Sequence, residues 1–100
     1  MIRLDNFSWL EDWYTAQCDG EWEHQSGVKI DTLDNPGWIV QINLNGTRYA
    51  GIQNATLIDE RELEIEWIVC EIKAGDFIGC GGSNQLGRIL QTFRKWIENY

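Results

Sequence analysis

Long apolar runs are missing from this 100-residue chain. Nothing in it approaches the run of about 18 apolar residues that a membrane helix requires, and no basic-then-apolar leader is present. Neither a membrane span nor a secretion signal is expected, and the cytosol is the expected compartment. Cysteine is sparse and odd in number; Cys18, Cys70 and Cys80 read as reduced thiols rather than a disulfide framework. The chain holds one histidine, His24, and no Cys-x-x-C pair, so a zinc site would fall short of its usual ligands. Its one proline, Pro36, lies inside a turn signal. Repeats, low-complexity tracts and linkers are absent, and a single domain over residues 1–100 is expected. Basic residues are scarce as well: 8 Lys+Arg stand against 16 Asp+Glu, a formal charge of −8. That balance opposes direct binding to nucleic acid and favours encounter with a basic partner.

What the chain does have is apolar and aromatic. Its hydrophobic content is 43%, and six of its residues are Trp, a globular composition with enough material for one modest core. A first helix is expected from about Asn6 to Cys18, capped by Asn6 and stopped by Asp19-Gly20. Phe7, Leu10, Tyr14 and Cys18 recur at helical spacing as its apolar face, with Trp13 at the edge and Trp9 pointing away. The alternating segments 28–32 and 38–44 read as strands joined by Asp34-Asn35-Pro36-Gly37, with Pro36 and Gly37 at the centre of a type II turn. Asn45-Gly46 is a hairpin signal leading to a strand over 47–50. Further strands are expected over 55–58, 64–72 and 77–80. A closing helix, about Asn84 to Glu98 with Ser83 as cap, carries Leu86, Ile89, Leu90, Phe93, Trp96 and Ile97 in one stripe. The expected fold is therefore α+β: an antiparallel sheet of five to six strands, with an N-terminal and a C-terminal helix packed on one face.

Three constellations invite a chemical reading. In "CDGEWEHQSG", residues 18–27, Cys18, Asp19, Glu21, Glu23 and His24 offer metal donors, but mixed thiolate and carboxylate softness and the lack of a second histidine argue against a metal. His24 could serve as a general base, yet no nucleophile or oxyanion hole accompanies it. No metal, cofactor or catalytic residue is assigned. In "IGCGGSNQLGR", residues 78–88, Cys80 precedes glycines and a helix, which could cradle an anion and activate the thiol as in sulfur transfer. The arginine that closes the anion loop of cysteine phosphatases six residues on is replaced by Leu86, so the plainer reading is a sharp strand-to-helix crossing. Finally, Asp59, Glu60, Glu62, Glu64 and Glu66 are offset by one base, Arg61. They form either a solvated loop and strand entry or a negative patch for a Lys/Arg-rich partner. Trp67 and Trp96 are assigned to the core, Trp22 and Trp38 to candidate anchors.

The segments "WLEDWYTAQCDGEWEHQSGVKIDTLDNPGW" (9–38), "GDFIGCGG" and "LQTFRKWI" resemble the bacterial immunity protein 53 family of polymorphic toxin systems. The resemblance runs over nearly the whole chain, with no recognisable motif between Arg48 and Glu64. It implies a small, non-enzymatic α+β immunity protein that binds a cognate toxin, for which a nuclease with a basic cleft would suit the charge. It transfers no contact residues. On chemical grounds the candidate partner-binding residues are Glu21, Trp22, Glu23, His24, Trp38, Asp59, Glu60, Glu62 and Glu64. The alternative is a small cysteine-dependent, sulfurtransferase-like enzyme centred on Cys80.

Overall fold

A computed structural model describes residues 5–25 and 27–100. Two helices, α1 (Asn6–Gln17) and α2 (Leu86–Glu98), flank five strands: β1 (Val28–Leu33), β2 (Gly37–Asn43), β3 (Ala55–Asp59), β4 (Ile68–Lys73) and β5 (Asp76–Gly81). The strands form one sheet in the order β1-β2-β5-β4-β3, and every neighbouring pair is antiparallel. This is the α+β architecture expected from the sequence, with five strands.

Strand alternation divides the sheet into two unlike faces. Val40 and Ile42 of β2, Phe77 of β5, and Ile68, Cys70 and Ile72 of β4 share one face and are fully buried. α2 covers that face with Ile89, Leu90 and Phe93, while Leu86, Trp96 and Ile97 pack around them. Its helical stripe is as the spacing predicts. Gly79 and Gly81 make the close approach possible, since a Cβ on Gly79 would lie 2.4 Å from Ile89 Cγ2 and one on Gly81 2.8 Å from Gln85 Cβ. The first two glycines of "GCGG" are thus a platform for the helix, while Gly82 admits the Ile65 backbone of the β3–β4 loop. Ser83 is not its cap: Gln85 occupies that position without a side-chain hydrogen bond, and the Ser83 carbonyl accepts from Trp38 Nε1 at 2.9 Å.

α1 packs on α2 and is rotated from its expected orientation. Its cap is Asp5, whose Oδ1 accepts from the Ser8 amide at 2.7 Å. Leu10 and Trp13 are the buried positions, and Trp9 leans on Phe93 with ring centroids 5.9 Å apart. Trp13 meets Phe93 edge-on at 5.0 Å. Phe7 is 54% exposed, and Tyr14 and Cys18 face solvent too. Arg94 of α2 ties the helices together: it is buried, bonds Asn6 Oδ1 and Glu98 Oε2, and lies 5.6 Å from the Trp9 ring centroid.

Two turn expectations change. Residues 34–36 form the β1–β2 turn, but Gly37 begins β2 opposite Leu33 instead of sitting inside a type II turn. It is glycine because a Cβ there would lie 2.3 Å from the Gly81 carbonyl oxygen. Asn45-Gly46 does not make a hairpin. Residues 45–51 coil through successive turns, Gly46 and Gly51 take positive φ, and Tyr49 is buried against Trp96 and Tyr100. The other side of β2 is already hydrogen-bonded to β5, so no sheet position is left for residues 47–50. β4 starts at Ile68 rather than Glu64, because Glu60 and Ile68 exchange backbone hydrogen bonds and close residues 61–67 into a loop.

Candidate functional site

The candidate binding residues separate into two groups at opposite ends of the sheet. Asn43 of β2 sits beside Asp76, and the Trp22 indole Nε1 donates to the Asn43 carbonyl at 2.9 Å, which places residues 19–24 at that end. Trp38 at the other end of β2 pairs with Gly81, which pairs with Ile68 where the acidic loop closes. Five residue steps of about 3.3 Å along β2 keep the groups roughly 17 Å apart. One small contact cannot involve both.

In the first group the acidic residues build the loop. Asp19 Oδ1 accepts the amides of Glu21 and Trp22, both at 3.0 Å, and Glu23 accepts those of Asp19 and Gly20 at 2.9 and 2.8 Å. The amides of Trp22 and Glu21 hold the Asp19 carboxyl below the usual range. Its own amide, those of Asp19 and Gly20, and the His24 charge do the same for Glu23. Trp22 forms a 3₁₀ turn with Glu23 and His24, is 3% exposed and stacks edge-on against Trp13 at 5.8 Å. It is a core residue, and as placed offers no anchor to a partner. His24 is exposed and joins the loop through its amide, which donates to the Glu21 carbonyl at 3.0 Å. Glu21 is exposed.

The second group is a true surface. Glu62, Glu64 and Glu66 are exposed in the loop between β3 and β4, along with two large apolar side chains, Leu63 and the 69%-exposed Ile65. Asp59 is bonded to Arg61 at 2.8 Å, and Glu60 to Arg88 at 3.0 Å. These exposed pairs contribute little stability. Trp38 is partly buried against the core, its indole N–H committed to Ser83.

Sequence reasoning missed Trp67, which lies outside the core. It shares the β4 alternation of Val69 and Glu71, opposite to buried Ile68 and Cys70, and its ring lies where Cβ atoms on Gly37 or Gly82 would touch it, at 3.5 and 3.4 Å. On the same face Ile39, Cys80 and Val69 pair in a row, with Ile78 in the next. These side chains are half-buried within the sheet, and no described helix packs against this face as α2 does against the other. The available signal was Ile39 in β2 and Ile78 in β5, apolar residues in the alternating sets opposite to the buried ones.

Cys80 belongs to this face. Burial raises its thiol pKa and the Glu71 charge adds to the effect, the reverse of what an activated nucleophile needs. The glycines around it are accounted for by α2 and Trp67, and nothing here favours sulfur transfer. Among the described residues no three His, Cys, Asp or Glu side chains gather as metal ligands, and no helix is long and apolar enough to cross a membrane. A groove between β3 and α2, lined by Leu57, Ile58, Arg88, Lys95 and Trp96, combines apolar walls with two bases.

The family model described as Immunity protein 53 matches residues 7–98. No curated protein and no solved structure matches the chain.

Proposed function

The chain belongs to the immunity protein 53 family, and from that premise we propose that it neutralises a cognate bacterial toxin by direct stoichiometric binding, without catalysis of its own. The family match over residues 7–98 carries this reading. The formal charge of −8 supports an electrostatically guided encounter in the cytoplasm of the producing cell. A toxin with a basic cleft for nucleic acid is the partner that charge fits best, with carboxylates taking the place of substrate phosphates. The exposed loop acids Glu62 and Glu64 lead the encounter; Glu21 and His24 mark the alternative end of the molecule.

Production of the toxin domain encoded beside this chain, with and without it, tests the reading. Restored growth and a one-to-one purified complex are expected. Rescue with no complex, or a complex with no rescue, refutes neutralisation by binding. Reversing Glu62 and Glu64 to Lys should slow association about tenfold at low salt and flatten its salt dependence. Slowing by Glu21→Lys alone would move the contact to the other end.

A further inference from the structure

Resting on that neutralising role, we propose that the toxin docks on the open face of the sheet. Trp67, Ile39, Val69 and Ile78 form the apolar centre of the interface, and the loop over 60–67 forms its acidic arm.

The face departs from the pattern of a solvated sheet. An antiparallel sheet with one face in water normally alternates apolar-in with polar-out. Here the outward positions of the three central strands include Ile39, Ile78, Cys80 and Val69, with Trp67 just beyond the start of β4. Gln41 and Glu71 flank Ile78 within the central strands, and Lys29, Asp31, Thr56 and Asp59 line the edges. One complete cross-strand row reads Asp31, Ile39, Cys80, Val69, Asp59; the next reads Lys29, Gln41, Ile78, Glu71, Thr56. An apolar centre ringed by charge is the anatomy of a protein interface. Contiguous accessible apolar surface marks such sites on small proteins; here the half-buried centre continues into exposed Leu63 and Ile65 of the loop.

Charge selects the occupant. The face and its arm carry Asp31, Asp59, Glu71, Asp76, Glu62, Glu64 and Glu66, while its bases are Lys29, Lys73 and Arg61, the last held by Asp59. Acid is densest at the loop end, beside Trp67, so the complementary surface is a Lys/Arg-rich patch around an apolar knob. A second copy of this chain would set like charge against like and is the poorer occupant. Area supports including the loop. Five strands about 4.8 Å apart and six residues long project to roughly 400 Å², half of the roughly 800 Å² a standard interface buries on each partner. The loop, with Leu63 and Ile65 exposed, extends the apolar surface in the direction where acid is densest.

Titration of the toxin domain encoded beside this chain, by calorimetry against purified variants, tests the assignment. Ile39→Arg and Val69→Arg should each weaken binding at least 100-fold while far-ultraviolet dichroism and the melting transition persist. Val69→Ser, which leaves the charge unchanged and perturbs the fold less, should weaken it about tenfold. Asp12→Lys, a charge reversal on the exposed side of α1, should leave affinity within about twofold. Unchanged affinity in folded Val69→Ser or Val69→Arg overturns the docking face while leaving toxin binding intact. Failure of the wild-type chain to bind overturns the neutralising role itself, and this inference with it. A free-state dimer broken by Val69→Arg, with toxin affinity unchanged, would overturn it in favour of self-association.

Discussion

Substituting Gly79 by alanine tests how tightly α2 is held to the sheet. The added Cβ would lie 2.4 Å from Ile89 Cγ2, 3.2 Å from Cys70 Sγ and 3.3 Å from Phe77 Cε2. Carbon atoms in favourable contact sit about 3.5–4.0 Å apart, so Ile89 must retreat by more than about 1 Å. Ile89 is fully buried and sits one helical turn from Phe93, so it cannot rotate away without displacing the helix. Overpacking of this kind costs about 1–3 kcal/mol, and replacing a strand glycine by alanine recovers about 0.5–1 kcal/mol. A 2.4 Å approach to a fully buried side chain puts the overpacking at the upper end of that range, about 2–3 kcal/mol, so the net loss is about 1–2.5 kcal/mol, a melting-temperature fall of about 5–15 °C for a domain this size. Urea unfolding followed by tryptophan fluorescence provides the assay, since Trp9, Trp13 and Trp22 lie in or against the core. Ile89→Ala alone should cost about 2–5 kcal/mol through its cavity. The double variant should be less destabilised than the sum by about 1 kcal/mol or more, because the new methyl enters the vacated space. Wild-type stability in Gly79→Ala, or strict additivity with Ile89→Ala, would refute the platform role of the glycine.

Ala74 holds φ +55° beside Gly75 at +85° in the β4–β5 turn, a conformation that favours Asn-Gly. Ala74→Asn should raise stability by about 0.5–1 kcal/mol, and an unchanged or lower unfolding midpoint would refute turn strain. Asp5, Asp19 and Glu23 have lowered pKa values in the folded state, chiefly through amides donated to their carboxylates. Their contribution is therefore complete above the ordinary carboxyl values of 3.8 and 4.5 and is lost as pH falls through the lower folded values. Asp19→Asn combined with Glu23→Gln should flatten the acid limb of stability measured between about pH 2 and 6; an unaltered slope would count against the loop bonds. Thiol labelling of the native protein should modify exposed Cys18 first and Cys80 slowly, since burial raises its pKa. Cys70, whose thiol burial pushes up to about 12, should react only on unfolding, and mass mapping of the labelled sites would reveal any other order.

Legibility in the sequence followed how many stripes each element offered. α2 has a single apolar stripe between polar ones, and its buried face was plain. α1 offers two overlapping aromatic choices, Phe7 with Tyr14 and Trp9 with Trp13. Only Phe93, brought from a distant position in the chain, decides between them, since Trp22 touches both Trp13 and Tyr14. Asn45-Gly46 carries the local chemistry of a hairpin, but β5 had taken the free side of β2. The acidic run was legible as exposed surface because charge density alone keeps it in water. The open face was not: Ile39 and Ile78 stand among Gln41, Asn43 and Asp76 in the outward sets of β2 and β5, so no continuous apolar stripe announced it. Trp22 showed the reverse confusion. Its acidic neighbours marked a surface loop, while its own ring reaches inward to the core.

Strand alternation also separates tolerance to change. Inward positions are locked: Phe77 and Cys70 are fully buried, and Gly79 cannot accept even a methyl group without displacement. Outward positions one residue away touch no other layer among the described residues, so Ile39, Gln41, Val69 and Ile78 answer to the solvent side of the sheet and not to its core. A lineage under pressure from a changing adversary could rewrite those side chains while leaving the scaffold beneath undisturbed. The architecture thereby keeps what holds the fold and what meets the solvent on opposite sides of a single pleated layer.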